Sequence, residues 1–227
     1  MGPSATRNIS YSFDGIEWID TTVKGLIEGY RYVLQGEKIY FKSSSTGRYW
    51  STQFVVKDSN SSSSNNVDFT VGGKLISLFN GIPGDATSLL SETNVTDASK
   101  LDINSETTCC TCASLFVDCV VLNTPPVLPA TLLPDSAYNS MFYGCISLIN
   151  APALPAETLT DFCYMSMFAN CTSLRYAPPI KAKTLAEACC QEMFLGCTSL
   201  ETAPELLATT MVSNCYYGMF SGCTSLK

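Results

Sequence analysis

The chain has 227 residues, room for one large domain or two modest ones, and its 13 Lys+Arg against 20 Asp+Glu give a formal charge of -7. That balance leaves no basic stripe for neutralising phosphates, which argues against nucleic acid or an anionic membrane as partner. Twelve cysteines accompany no histidine at all, which removes Ser-His and Cys-His catalytic pairs and every His-containing zinc site, so the chain reads as no enzyme.

No run of about 18 apolar residues occurs, so no transmembrane helix is expected. The start Met1-Gly-Pro-Ser-Ala lacks the basic and apolar regions of a signal peptide. Residues 1–82 read as a β-sandwich-like N-terminal domain of about seven short strands. Ile9, Tyr11 and Phe13 alternate with polar neighbours, Asp14-Gly15 supplies a two-residue turn, and Ile16, Trp18 and Asp20 continue after it, which predicts a hairpin. Tyr30, Tyr32 and Leu34, a loop at Gln35-Gly36-Glu37, and Ile39 with Phe41 predict a second pair. Tyr49 to Val56 is a further strand candidate, and within it Trp50 is the aromatic best placed to be exposed for sugar stacking. Ser59 to Asn66 holds only serine and asparagine and reads as an exposed loop. Val67, Phe69 and Val71, a turn at Gly72-Gly73, and Leu75 to Phe79 complete the expected hairpins. Residues 83–111 read as a transition holding a degenerate first coil, with Val95, Leu101 and Ile103 its few large apolar residues.

From residue 112 to 227 one phrase recurs: Met141-Phe-Tyr-Gly-Cys-Ile-Ser-Leu148, Met167-Phe-Ala-Asn-Cys-Thr-Ser-Leu174, Met193-Phe-Leu-Gly-Cys-Thr-Ser-Leu200 and Met219-Phe-Ser-Gly-Cys-Thr-Ser-Leu226, each copy starting 26 residues after the last. A fixed period in this range marks a solenoid whose coils bury their apolar faces on one another. With the eroded copy at Leu115-Phe-Val-Asp-Cys119, the cysteine column is Cys119, Cys145, Cys171, Cys197 and Cys223, and the phenylalanine column is Phe116, Phe142, Phe168, Phe194 and Phe220. Other columns hold Pro126, Pro152, Pro178 and Pro204, then Leu128, Leu154, Ile180 and Leu206. The proline half of each coil is expected to be extended. The other half, such as Asp161 to Asn170 with Cys163, Met167 and Phe168 at helical spacing, is expected to be a short helix. The fold class expected is therefore α+β, with a right-handed leucine-rich-repeat solenoid of 26-residue coils, each a short strand plus a short helix, behind the β domain.

The stretch from Leu148-Ile-Asn-Ala-Pro-Ala-Leu-Pro-Ala-Glu-Thr-Leu159 through Cys163-Tyr-Met-Ser-Met-Phe-Ala-Asn-Cys-Thr-Ser-Leu174 resembles the BspA-like leucine-rich repeat family of bacterial surface and secreted proteins. Ile9 to Gly15 with Trp18, Glu37 to Phe41 and Phe69 to Leu78 resemble the β domain that precedes such repeats. The resemblance covers about half the chain and implies binding or adhesion at a cell surface or after secretion, although this sequence carries no export signal. Similar repeats occur in proteins of phages that infect gut bacteria, which implies the alternative of a virion structural or fibre component. No catalytic residues carry over.

Three readings compete for the cysteines. Equivalent cysteines on coils at strand spacing have parallel side chains and favour free thiols over disulfides. Cys109-Cys110-Thr111-Cys112 contains a C-x-x-C pair, the basis of a third hypothesis, a thiol-based metal or redox protein, but lacks a second pair for zinc and a thioredoxin-like context, so no metal and no cofactor are expected. Cys189 aligns with Cys163 and Cys215, while Cys190 stands where Tyr164 and Tyr216 stand in the adjoining copies.

The leading expectation is a non-enzymatic protein that presents its repeats to a protein or glycan partner. Its candidate contact residues are those that vary between fixed columns: Asn150, Tyr176 and Thr202 before the prolines, Glu157, Lys183 and Thr209 after them, and Trp50 in the β domain. Glu187 with Glu192, and Glu201 with Glu205, read as solvated faces. The final coil, stopping at Lys227 without a polar cap, is expected to support homo-oligomer or assembly contacts.

Overall fold

The computed structural model describes residues 95–103 and 112–227, together with the backbone of four earlier strands. These are β1 (Asn8–Ser12), β2 (Ile19–Thr22), β3 (Tyr40–Ser43) and β4 (Phe69–Lys74), and β5 (Val95–Asp102) follows. Trp50, Cys109 and Cys110, the Ser59 to Asn66 loop and the strand candidates at 30–34, 49–56 and 75–79 lie outside the described residues.

Strand β1 sits between β2 and β3 in an antiparallel sheet of order β2-β1-β3. The pairing of β1 with β2 differs in register from the hairpin expected at Asp14-Gly15. A two-residue turn there would oppose Tyr11 to Trp18, whereas Tyr11 opposes Ile19 and Asn8 opposes Thr22. A second expectation also changes. Gly72-Gly73 is no turn: both lie within β4, which pairs in parallel with β5 through register shifts between Phe69 and Gly72. Glycines inside a strand mark such irregular pairing.

Strand β5, in the expected transition, joins the repeats. Ala98 N donates to Thr124 O (2.8 Å) and Asn123 N to Thr96 O (3.0 Å). Val95, Leu101 and Ile103 are buried. Beyond it, each 26-residue segment lies against the next. On the proline side the contacts are isolated parallel bridges, Asn150 to Tyr176 to Thr202, Leu154 to Ile180 to Leu206, and Thr158 to Thr184. Proline brings no N–H to a ladder, so Pro152 and Pro155, or Pro178 and Pro179, interrupt pairing between these points.

The other side is not the expected short helix. Among the described residues no helix occurs, and 161–170 is a run of turns. The reason lies in the backbone: Phe162 (φ 59), Ser166 (φ 52) and Asn170 (φ 61) are left-handed, at every fourth residue, which a right-handed helix does not accommodate. Two sets of hydrogen bonds then alternate. Cys163, Met165, Met167, Ala169 and Cys171 donate to the carbonyl three residues back, as in Met167 N to Tyr164 O (3.2 Å). The residues between them donate to the next segment, as in Tyr164 N to Cys189 O (2.8 Å) and Phe168 N to Met193 O (2.9 Å). The same alternation recurs at 136–145 and 188–197, so the buried backbone donors there are paired.

The interior between these two sides holds the repeated columns. The five phenylalanines stack with ring centroids 5.5–5.8 Å apart and planes within 7°. The cysteine column is more than filler. Cys145, Cys171, Cys197 and Cys223 each point Sγ at the carbonyl of a phenylalanine in the segment before, at 3.0–3.1 Å. Phe116 O, for instance, accepts from both Cys119 N and Cys145 Sγ, using the second lone pair that a backbone carbonyl offers.

Candidate interaction surface

The proline side carries the variable residues. Because the bridges hold Asn150, Tyr176 and Thr202 in one row, these three sequence-distant residues form a single exposed line across three segments. Tyr176 is the large member, 51% exposed. Glu157, Lys183 and Thr209 form a second exposed row on the same side. Trp50 lies outside the described residues.

The two rows differ in what their side chains do. Lys183 Nζ meets Glu157 Oε2 at 3.0 Å, and Lys183 N also donates to Glu157 O (2.9 Å). These residues therefore hold each other across adjoining segments, and both remain about as exposed as a surface ion pair can be, 64% and 61%; such pairs contribute little. The first row keeps its side chains free of such pairing, with one addition that sequence reading passed over. Arg175, just before Tyr176, sits 5.9 Å from the Tyr176 ring centroid, within reach of a cation–π contact. Its Nε donates to Glu201 Oε1 (2.9 Å) and a second guanidinium nitrogen reaches the same oxygen.

Glu201 is thus no merely solvated carboxylate. The hydrogen bond from Arg175 comes first, then its charge, and together they hold the Glu201 carboxyl below its ordinary range and raise the Arg175 guanidinium. Lys227 adds a smaller pull on Glu201. One signal in the sequence points to both ion pairs: opposite charges one period apart, Glu157 with Lys183 and Arg175 with Glu201. Glu187 is exposed, and its N–H is bound by Asp161 Oδ1 at 3.0 Å, again one period away. This side of the stack is accordingly a bridged backbone edge bearing Asn150, Arg175, Tyr176 and Thr202, flanked by Ile149, 48% exposed.

No family model, curated protein or solved structure matches the chain.

Proposed function

We propose that this chain is a non-enzymatic binding protein of the leucine-rich-repeat solenoid type, with a β-rich N-terminal domain, and that it grips a protein or glycan partner with the row Asn150–Tyr176–Thr202. The observation that carries this reading is Tyr176: a large aromatic, half exposed, on a backbone pinned by bridges to both neighbours, with a guanidinium beside its ring. Tyrosine and arginine are enriched among the residues that dominate binding energy, because they combine apolar area with hydrogen bonding at modest entropic cost. A preordered edge reduces the ordering cost further. Its place would be a cell surface or the extracellular medium, as the repeat resemblance implies.

The test is a screen of the purified chain against glycans and matrix proteins, followed by substitution. Tyr176→Ala should lower affinity for the partner found by tenfold or more, about 1.4 kcal/mol or above, while Lys183→Ala leaves affinity unchanged. Equal binding by wild type and Tyr176→Ala would sink the assignment of this row.

A further inference from the structure

We propose that the stack contains a buried hydration site at Cys190, where a small cluster of water molecules bonds to the hydroxyls of Tyr164 and Tyr216. The starting point is a column that breaks its own rule. Tyr138 and Tyr164 stack with centroids 6.2 Å apart and planes within 3°. The next position is Cys190, and the one after it is Tyr216. The backbone keeps register through the substitution, since Tyr164 N donates to Cys189 O (2.8 Å) and Cys190 N to Cys215 O (2.9 Å). A thiol therefore stands where a phenol ring would continue the stack, between two tyrosines two segments apart.

Those two tyrosines are the residues with a difficulty. The hydroxyl oxygens of Tyr164 and Tyr216 are buried and have no protein hydrogen-bond partner, and no other described side chain shares this condition. Tyr164 as a whole is 1% exposed. Buried hydroxyls without partners are rare because the lost hydration is not replaced. Here both occurrences flank Cys190, where the column lacks a ring inside the stack; its other cysteine, Cys112, stands at the start of the column with a ring on one side only. The protein groups around them are poor substitutes for water: Cys163, Cys189, Cys190 and Cys215 supply thiols, which are weak donors and acceptors, and Tyr138 presents its ring face.

The chemistry selects a small neutral occupant. Burial pushes the Tyr164 hydroxyl above its ordinary range and Tyr216 up to about 12, so both are uncharged phenols able to donate and accept. No described lysine, arginine, aspartate or glutamate bears on either of them, so nothing favours an ion. A water takes two to four polar partners, and the volume by which a tyrosine side chain exceeds a cysteine's corresponds, at the ~30 Å³ of liquid water, to roughly two or three of them.

A crystal structure that resolves ordered solvent tests the proposal, together with two variants. Density is expected about 2.6–3.2 Å from the hydroxyl oxygens of Tyr164 and Tyr216. Cys190→Tyr, which restores the ring column, should abolish that density and raise Tm by a few degrees. Tyr164→Phe removes one hydroxyl and keeps its ring, and should lower Tm because a hydrated hydroxyl loses its bonds. A rise of Tm in Tyr164→Phe, as expected of a hydroxyl with no partner at all, overturns the proposal, as does a wild-type structure without solvent at either oxygen.

Discussion

Among the described residues, ten other than glycine adopt positive φ, including Phe162, Ala188 and Glu192, which gain nothing from that conformation. A left-handed residue with a Cβ costs roughly 1–2 kcal/mol, and the repeat accepts the cost because each such residue closes a turn whose neighbours bond to the next segment. One of these columns was legible in the sequence: Asp118, Gly144, Asn170, Gly196 and Gly222, just before the column cysteine, are the residue types that tolerate this region. The others, such as Ser140, Ser166 and Glu192, carry no such mark, and only the backbone reveals them. Glycine in that column has a second reason. A Cβ on Gly144 (φ +72) would lie 2.0 Å from Asp118 Oδ1, and one on Gly196 2.4 Å from Asn170 Oδ1, so a side chain in one segment occupies the space that glycine leaves in the next. Gly144→Ala should therefore destabilise by about 2–3 kcal/mol, made up of the left-handed cost and the displacement of Asp118. Gly222→Ala, whose Cβ meets only ordinary contacts at 3.4 Å, should lose the first part alone. Chemical denaturation of the two variants gives the comparison.

At the scale of the element, the turn ribbon shows why part of the fold could be read and part could not. Buried Cys163, Met167 and Cys171 are four residues apart, as are Tyr164 and Phe168. Over ten residues a period of 4 is hardly distinguishable from 3.6, so the apolar pattern alone suggested a helix. The proline side, expected to be extended, pairs only through isolated bridges, because its prolines bring no N–H to a ladder. Cysteine was read as a small apolar filler, and its directed S–H contact was invisible because it depends on a carbonyl one segment away. Burial raises these thiols: Cys145 and Cys171 lie well above the ordinary range, Cys163 and Cys197 are pushed up to about 12, and Cys223 is raised as well. In the Cys189–Cys190 pair, the hydrogen bond to Cys189 and then burial hold Cys190 up. The sign of the linkage follows. An unfolded thiol loses its proton near pH 9 while the folded one keeps it, so the stabilisation is complete below pH 9 and is lost as pH rises from 9 toward 12. Cys163 and Cys197 each contribute up to about 1.4 kcal/mol per pH unit in that window. Melting temperature measured from pH 7 to 11 should be flat at first and then fall steeply, and substituting Cys163 and Cys197 by alanine should lower the plateau and make the fall shallower.

Across the whole molecule the period sets the tolerance to change. Residues 150–175 make up one repeat, and joining Ile149 to Tyr176 restores every column, with Gly196 following Gly144 and Phe194 following Phe142. This deletion should leave a folded chain that melts cooperatively at a somewhat lower temperature. Removing one residue fewer puts each left-handed position and each bridge out of step and should abolish cooperative melting, as circular dichroism during heating would show. That Asn150, Tyr176 and Thr202 share one row is legible at the same scale, since alignment by 26 separates constant from variable positions. What alignment does not separate is charge paired across the stack, Glu157 with Lys183, from side chains without such pairing, because both vary. The alternation of hydrogen bonds has an electrical consequence. In every turn ribbon the peptides that link segments point their N–H toward the following segment and their C=O toward the preceding one. Each peptide carries a dipole of about 3.5 D; bonds on the proline side that run the other way, such as Arg175 N to Ile149 O and Glu201 N to Arg175 O, offset a part, and the more numerous ribbon bonds leave a net sum along the stack. The protein thus behaves as a weak electret, positive toward the Phe220 segment and negative toward the Phe116 segment. A field of that sense favours carboxylates near one end and cations near the other, whatever the neighbouring side chains happen to be.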